Sequence, residues 1–371
     1  MHRNMLPYHL ESLEVDGCFG IQHAEISGLS PQSQWIFITG NENSTNLLKG
    51  MAVAYYNQRL ERTQLPFVMP AGKIKLGLMH EDRILPRLDY TYDGGRPYAS
   101  SAYPRPDQAA FLLGYGSVRQ PCPGQAAPTR AERGANTTVI SLLSEEAPRL
   151  DLSAELLLSY RENVGRFGVL VSLMQHLWPA LNYLRIERRN LYFVLHSEEN
   201  LSWNQVPRGI ASLLTMAVDL YLTLGRVQGR ALAPDEIMGM VLIEEPELHL
   251  PPALRRQLPR LLSTAFPQVQ FIAATYSPML LMGAPENAVF LNLEPLPNGT
   301  QQLRLLDMAT AQLDPAEILA SPLFDYQDLP QKTQPGPAAD FYGFDQAMEE
   351  ELETNTEANP DDKVGRVFGS H

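Results

Sequence analysis

Met240-Val241-Leu242-Ile243-Glu244-Glu245-Pro246-Glu247-Leu248-His249-Leu250 is the stretch on which the fold turns. Four consecutive apolar residues read as a strand buried on both faces. The strand delivers two adjacent carboxylates to its carboxyl end, the side on which open α/β sheets bind ligands. Downstream, Ala253 to Ala265 reads as a helix and Val269 to Ala274 as a second buried strand. Strand, helix and strand in that order predict a parallel unit with a right-handed crossover. Val289 to Leu293 and Leu303 to Leu306 extend the sheet.

Working back toward the N-terminus, Tyr8 to Ile26 alternates apolar and polar residues and predicts two strands joined near Gly17 and Gly20. Trp35-Ile36-Phe37-Ile38 is a buried parallel strand ending at Gly40. Leu47, Leu48, Met51, Ala52 and Tyr55 then recur at helical spacing, so a loop of about six residues is expected between strand and helix. Residues 65 to 92 read as short strands with charged turns. Ala110 to Gly114 reads as a buried strand inside a Pro/Gly/Ser/Ala-rich stretch from Asp93 to Asn136. Residues 152 to 186 carry helical periodicity with a break near Gly165 to Gly168. Leu191 to Leu195 is a strand, and Arg208 to Leu224 a strongly apolar helix.

Across 371 residues, 44% are hydrophobic and 19% charged, which suits a large folded core and excludes wholesale disorder. The net charge of −13 argues against a chain that is basic overall but leaves room for a local basic face. Cys18 and Cys122 lie far apart without metal-ligand spacing, so neither a disulfide framework nor a zinc site is expected. Met1 to Glu11 shows no signal-peptide pattern and no run of about 18 apolar residues occurs, so the expected location is the cytoplasm.

With its Pro-Glu-Leu-His-Leu continuation, the Glu244-Glu245 stretch resembles the extended Walker B and D-loop region of the RecF/SMC/ABC-like ATPases, bacterial AAA-type proteins. That region usually reads apolar-Asp-Glu-Pro-Glu-x-x-Leu-His-Pro; Glu244 stands for the Asp, and Pro251 follows Leu250 where a His is common. Val269 to Pro278, ending Thr275-Tyr276-Ser277-Pro278, is similar to the same family's switch strand, with Tyr276 in place of the His that contacts the γ-phosphate. Phe111 to Arg119 resembles its Gly-Tyr-Gly-Pro-x-Arg segment, and Gln205 to Leu214 its signature loop, with Gly209 in register and Arg208 replacing an acidic or small residue. The resemblance spans roughly residues 8 to 325.

It implies an α/β fold of the ABC/SMC-head-like P-loop NTPase kind: a mixed sheet with flanking helices and an inserted helical lobe. The head is expected over 1–326, the inserted loop and lobe over about 93–205, and a flexible acidic tail over 327–371. The tail carries Phe341, Tyr342 and Phe344 beside its acidic run as a possible docking pattern. The implied cofactors are ATP and Mg²⁺. Glu244 supports the metal together with Ser44 or Thr45, Glu245 aligns the attacking water, and Tyr276 takes the γ-phosphate sensor's place. Gly40, Asn43, Ser44, Thr45, Arg119 and Gly209 meet the nucleotide. The family also implies a homodimer or heteromer through the head, an effector protein, DNA as a further partner, and no membrane.

The phosphate loop is the discordant element. A Walker A segment needs glycines to wrap the β-phosphate, a Lys to neutralise it and a hydroxyl for Mg²⁺. Along Gly40-Asn41-Glu42-Asn43-Ser44-Thr45-Asn46-Leu47-Leu48 only Gly40 is in register, and Thr45, Asn46 and Leu47 stand where Gly, Lys and Ser/Thr belong. Aligned on the Leu-Leu pair, the loop is about two residues short. Lys49 lies within the helix and is expected to point elsewhere. Glu42 adds a negative charge, which 4 Å from a phosphate opposes binding by about 4 kcal/mol at an effective dielectric near 20. The expected function is therefore an ATPase-like head with weak or lost hydrolysis, acting with a partner in DNA repair or anti-phage defence. The alternative is a working ATP hydrolase whose ATP-driven dimerisation controls an effector. A nuclease with a following Toprim domain is not expected, since 95 residues follow Tyr276.

Overall fold

The computed structural model describes residues 5–56, 72–80, 87–93, 111–119, 135–144, 150–188, 190–229 and 233–306, all within one compact unit, Met1–Asp325. The expected tail, Cys122 and most of the stretch from Asp93 to Asn136 lie outside the described residues.

The strands are β1 (Tyr8–Cys18), β2 (Ile21–Ile26), β3 (Trp35–Thr39), β4 (Lys73–His80), β5 (Arg87–Asp93), β6 (Leu112–Tyr115), β7 (Leu181–Glu187), β8 (Asn190–Leu195), β9 (Asn200–Ser202), β10 (Met238–Glu244), β11 (Gln268–Ala274), β12 (Val289–Pro295) and β13 (Gln301–Leu306). The helices are α1 (Asn43–Tyr56), α2 (Ala135–Leu143), α3 (Leu152–Glu162), α4 (Val164–Leu177), α5 (Arg208–Val227), α6 (Pro252–Ala265) and α7 (Pro278–Leu281).

Ten strands form one mixed sheet in the order β5-β4-β1-β2-β13-β12-β3-β11-β10-β6, and β7-β8-β9 form a separate antiparallel sheet. Within the large sheet β12, β3, β11, β10 and β6 are all parallel, whereas β5, β4, β1 and β2 pair antiparallel in that order. All five residues of β3 are buried, as are Gly239 to Ile243 of β10. These apolar runs lack alternation because helices cover both faces of a parallel layer. The β1–β2 turn uses left-handed backbone at Phe19 (φ 54°) and Gly20 (φ 76°), as a tight two-residue hairpin demands.

Helix α5 is long and apolar enough to cross a membrane by composition, but 72% of its apolar window is buried inside the protein. It is a core helix, with nearly all of its residues from Gly209 to Leu224 buried. Inside it Asp219 accepts a hydrogen bond from the Tyr115 hydroxyl at the end of β6 (3.1 Å).

Three expectations are corrected. The β3–α1 connection is three residues, Gly40 to Glu42, because α1 begins at Asn43 and takes Ser44, Thr45 and Asn46 into its first turn. The break in the helical stretch falls at Asn163, not at Gly165 to Gly168, which lie inside α4. Asn163 is extended (φ −155°), ends α3 and caps α4 by accepting from the Arg166 N–H (2.9 Å). Residues 181–187 are the strand β7 rather than helix, since Pro179 forces Trp178 out of the helical region.

Candidate functional site

The register of the parallel layer levels the carboxyl ends of three neighbouring strands. Ile38 of β3 pairs with Ala274 of β11, and Ala274 with Glu244 of β10. Backbone bonds continue the row, from Thr275 N–H to the Ile38 carbonyl (3.1 Å) and from Glu245 N–H to the Ala274 carbonyl (2.9 Å). Strands are spaced about 4.8 Å apart, so the turn after Gly40 and the Glu244-Glu245 pair share one edge with Thr275-Tyr276 between them.

Glu244 is largely covered. One oxygen accepts from the Ser117 N–H (3.3 Å), and Lys49 Nζ stands 4.0 Å from the other. Burial raises the Glu244 pKa, opposed by Lys49 and by the Ser117 hydrogen bond. Glu245 leaves the strand with a left-handed backbone (φ 44°), the strained conformation that turns its side chain away from the strand line. Glu247 turns inward, 5% exposed, and accepts from the Thr275 hydroxyl (2.5 Å). Burial raises its pKa as well, and its second oxygen has no hydrogen-bond partner among the described residues. Thr275 Oγ1 also accepts from the Ser277 N–H (3.0 Å). Thr275→Val strands a buried carboxylate, so urea unfolding should register a loss of about 2 kcal/mol.

Arg119 runs opposite to the expected role. It is 5% exposed, and its guanidinium donates to the Glu244 carbonyl, to the Glu245 carbonyl (2.9 Å) and to Ser212 Oγ of α5 (3.3 Å). Burial lowers its pKa to about 10, while the carboxylates of Glu247, Glu244 and Glu245 pull upward, so it stays charged near neutrality. It anchors the carboxylate turn to α5 from within. Gly209, at the N-terminus of α5, is likewise committed internally: a Cβ there would lie 2.4 Å from the His249 carbonyl oxygen. The site's geometry explains its glycine as close backbone packing beneath the turn after Glu247.

Residues 129–282 match the family described as "AAA domain, putative AbiEii toxin, Type IV TA system". That span contains β10, α6, β11 and the Tyr276 segment. Over these residues the chain is similar to AAA-type ATPases of the RecF/SMC/ABC-like kind. The head is 27% identical over 152 residues to "Retron Ec83 probable ATPase" of Escherichia coli, covering 40% of this chain and 28% of that protein. It is 24% identical over 265 residues to "Septu protein PtuA" of Bacillus mycoides (strain KBAB4), covering 69% of this chain and 33% of that protein. The chain thus spans a third or less of the length of these curated relatives. Among solved structures it is similar to the Smc head domain with an extended coiled coil from Pyrococcus furiosus, at 12% identity and a TM-score of 0.47, covering 81% of this chain and 96% of that one. The overlay is loose, and the fold stands on its own strand order.

Where an ATPase head turns backbone N–H groups toward phosphate, this head turns them on itself. The Asn43 N–H donates to Asn41 Oδ1 (3.0 Å) and the Ser44 N–H to the Asn41 carbonyl (2.8 Å). The Tyr276 hydroxyl donates to that same carbonyl (2.6 Å) and accepts from Ser44 Oγ (3.2 Å). Ser44 is fully buried, its hydroxyl donating to Tyr276, and the Asn46 side-chain amide donates to Asn43 Oδ1 (3.0 Å). Gly40 is explained by packing: its φ is 121°, and a Cβ would lie 2.2 Å from the Leu293 carbonyl oxygen of β12. The cavity beside Glu244, lined also by Lys49, Gly116, Ser117, Ser141 and Ser144, measures about 60 Å³. That holds a few waters, against roughly 300–1,000 Å³ for ligand pockets. No cluster of three His, Cys, Asp or Glu side chains suited to a metal occurs among the described residues. As arranged, the Asn43 and Ser44 N–H groups and the Ser44 hydroxyl are bonded within the turn.

Lys49 is the residue sequence reasoning placed wrongly. With α1 starting at Asn43, Lys49 falls four residues after Thr45, on the same helix face one turn further in. That face looks across to β10. Counting the loop as three residues instead of six is the signal that finds it. Asn41 and Thr275 were also not singled out, since an Asn in a loop and a Thr ending a strand carry no pattern of their own.

Proposed function

We propose that this chain is an ATPase-shaped head with weak or lost ATP hydrolysis that acts with a partner protein in anti-phage defence. The observation that carries the loss of turnover is the closure of the phosphate seat by Asn41, Ser44 and Tyr276. Kinship with a retron ATPase and a Septu protein favours defence over DNA repair. In this reading residues 1–326 are the head, about 93–205 carry the inserted loop and helical lobe, and 327–371 are an acidic tail. The head pairs with a second copy or a paralogue to position an effector, in the cytoplasm, with DNA as a further ligand of the assembly.

Glu244 and Glu245 stand as adjacent carboxylates at the carboxyl end of β10, which favours the working hydrolase as the second reading. The two separate in one assay. Purified chain with Mg-ATP should release little phosphate, and Glu245→Gln should leave that rate unchanged. Brisk turnover abolished by Glu245→Gln would establish the hydrolase instead. Asn46→Lys alone should restore nothing, because the first-turn N–H groups remain capped by Asn41.

A further inference from the structure

A groove of about 550 Å³ opens between α4, the C-terminal end of α6 and the turn at Pro234-Asp235. That volume suits a bound group rather than a few waters. Val169 and Leu173 of α4 with Ala265 of α6 make it mainly apolar, and none of its lining belongs to the turn after Gly40 or to the Glu244-Glu245 pair. The lining holds one carboxylate, Asp235, and no lysine or arginine among the described residues. Asp235 is exposed, as is Glu236 beside it, and the Asp235 carboxylate makes no ion pair or side-chain hydrogen bond among the described residues. Gly168 keeps the groove open. A helix interior disfavours glycine, yet an added Cβ at Gly168 would meet nothing within 4 Å, so no internal packing requires it. One turn earlier on the same ridge of α4, Val164 is the most exposed large apolar side chain among the described residues, at 69%.

We propose that this groove seats a basic amphipathic helix of a partner protein, with its apolar ridge along Val164, Val169 and Leu173 and a lysine or arginine on Asp235. Helix-in-groove recognition of this kind reads apolar anchors at helical spacing. Charge selects the occupant. A carboxylate with no internal partner, in a groove lined by no lysine or arginine, attracts a cationic group and repels an acidic one. The net charge of −13 steers encounter in the same sense, and a second copy of this chain would bring the same sign. The inference rests on the reading that this head acts with a partner protein, and adds where that partner is held and what its contacting segment carries.

The test is fluorescence anisotropy of labelled Leu/Lys and Leu/Glu amphipathic helical peptides of equal length, without nucleotide, so it is separate from any result on ATP. The Leu/Lys peptide should bind wild type saturably, and the Leu/Glu peptide should not bind. Gly168→Leu, which fills the groove without changing charge, should weaken Leu/Lys binding about tenfold or more. Asp235→Asn should weaken it less and flatten its salt dependence. Glu25→Gln, which removes an exposed carboxylate from β2 instead, should leave the affinity unchanged. If Gly168→Leu does not fold, Ser172→Trp on the same exposed ridge is read the same way. Leu/Lys binding indifferent to the groove variants would overturn the proposal while leaving room for a partner on another face. Tighter binding of the Leu/Glu peptide, or no saturable binding of either, would overturn it too. A dimer seen by sedimentation without peptide and dissociated by Gly168→Leu would give the groove to a second copy, again against the proposal.

Discussion

Arg119→Met should cost about 3–5 kcal/mol of unfolding free energy, the range for breaking a buried charge network by removing one partner. The methionine approximates the stem's volume but leaves the Glu244 and Glu245 carbonyls and Ser212 without their shared donor. It also removes the cation that lowers the pKa values of Glu244 and Glu247, both of which burial already raises above the ordinary 4.5. The sign follows from that. A carboxyl whose folded-state pKa is raised favours the fold while protonated and loses that advantage as pH rises through the folded value. The deficit of Arg119→Met should therefore be smallest in acid, below about 4.5, and should widen toward neutrality. Urea midpoints at both pH values, with the slope checked for two-state behaviour, measure it. A pH-independent loss under 1 kcal/mol would mean the guanidinium is no anchor.

Gly40→Ala should cost about as much, roughly 3–5 kcal/mol, by an unrelated mechanism. At φ 121° an L-residue is strained before any contact is considered, and its Cβ would sit 2.2 Å from the Leu293 carbonyl oxygen. That oxygen belongs to the backbone of the adjacent parallel strand β12, which no side-chain rotation can clear. The β3–β12 pair must separate at its carboxyl end, next to Thr39, whose hydroxyl bonds Asn292 (2.9 Å). The effect should appear in unfolding even though no nucleotide is present. A glycine kept for phosphate approach alone would tolerate alanine in the free protein.

The parallel layer was legible because its strands are uninterrupted apolar runs, and Val241 to Ile243 and Phe271 to Ala274 admit no other reading once a helix lies between them. The hairpin at Phe19-Gly20 was legible for a different reason, the alternation on both sides of it. The strand β7 was not. Leu177, Leu181 and Leu184 follow one another at helical spacing, so periodicity alone carries α4 straight through Pro179. Gly165 and Gly168 misled in the opposite sense: both sit in α4, where an added Cβ would meet little or nothing, so the helix tolerates them. At the site the carboxylate pair was found by its motif. The inward course of Arg119, the capping by Asn41 and the reach of Lys49 depend on loop length and chain path, which residue types do not encode.

On the proposed reading, the hydrogen bonds among Asn41, Ser44 and Tyr276 hold closed the turn a triphosphate would need open. Calorimetric titration of Mg-ATP into the intact chain tests it most directly. Heats indistinguishable from dilution, through millimolar nucleotide, are the expected result. A saturable micromolar isotherm would contradict it, because the phosphates would then have had to displace the tyrosine and open the turn.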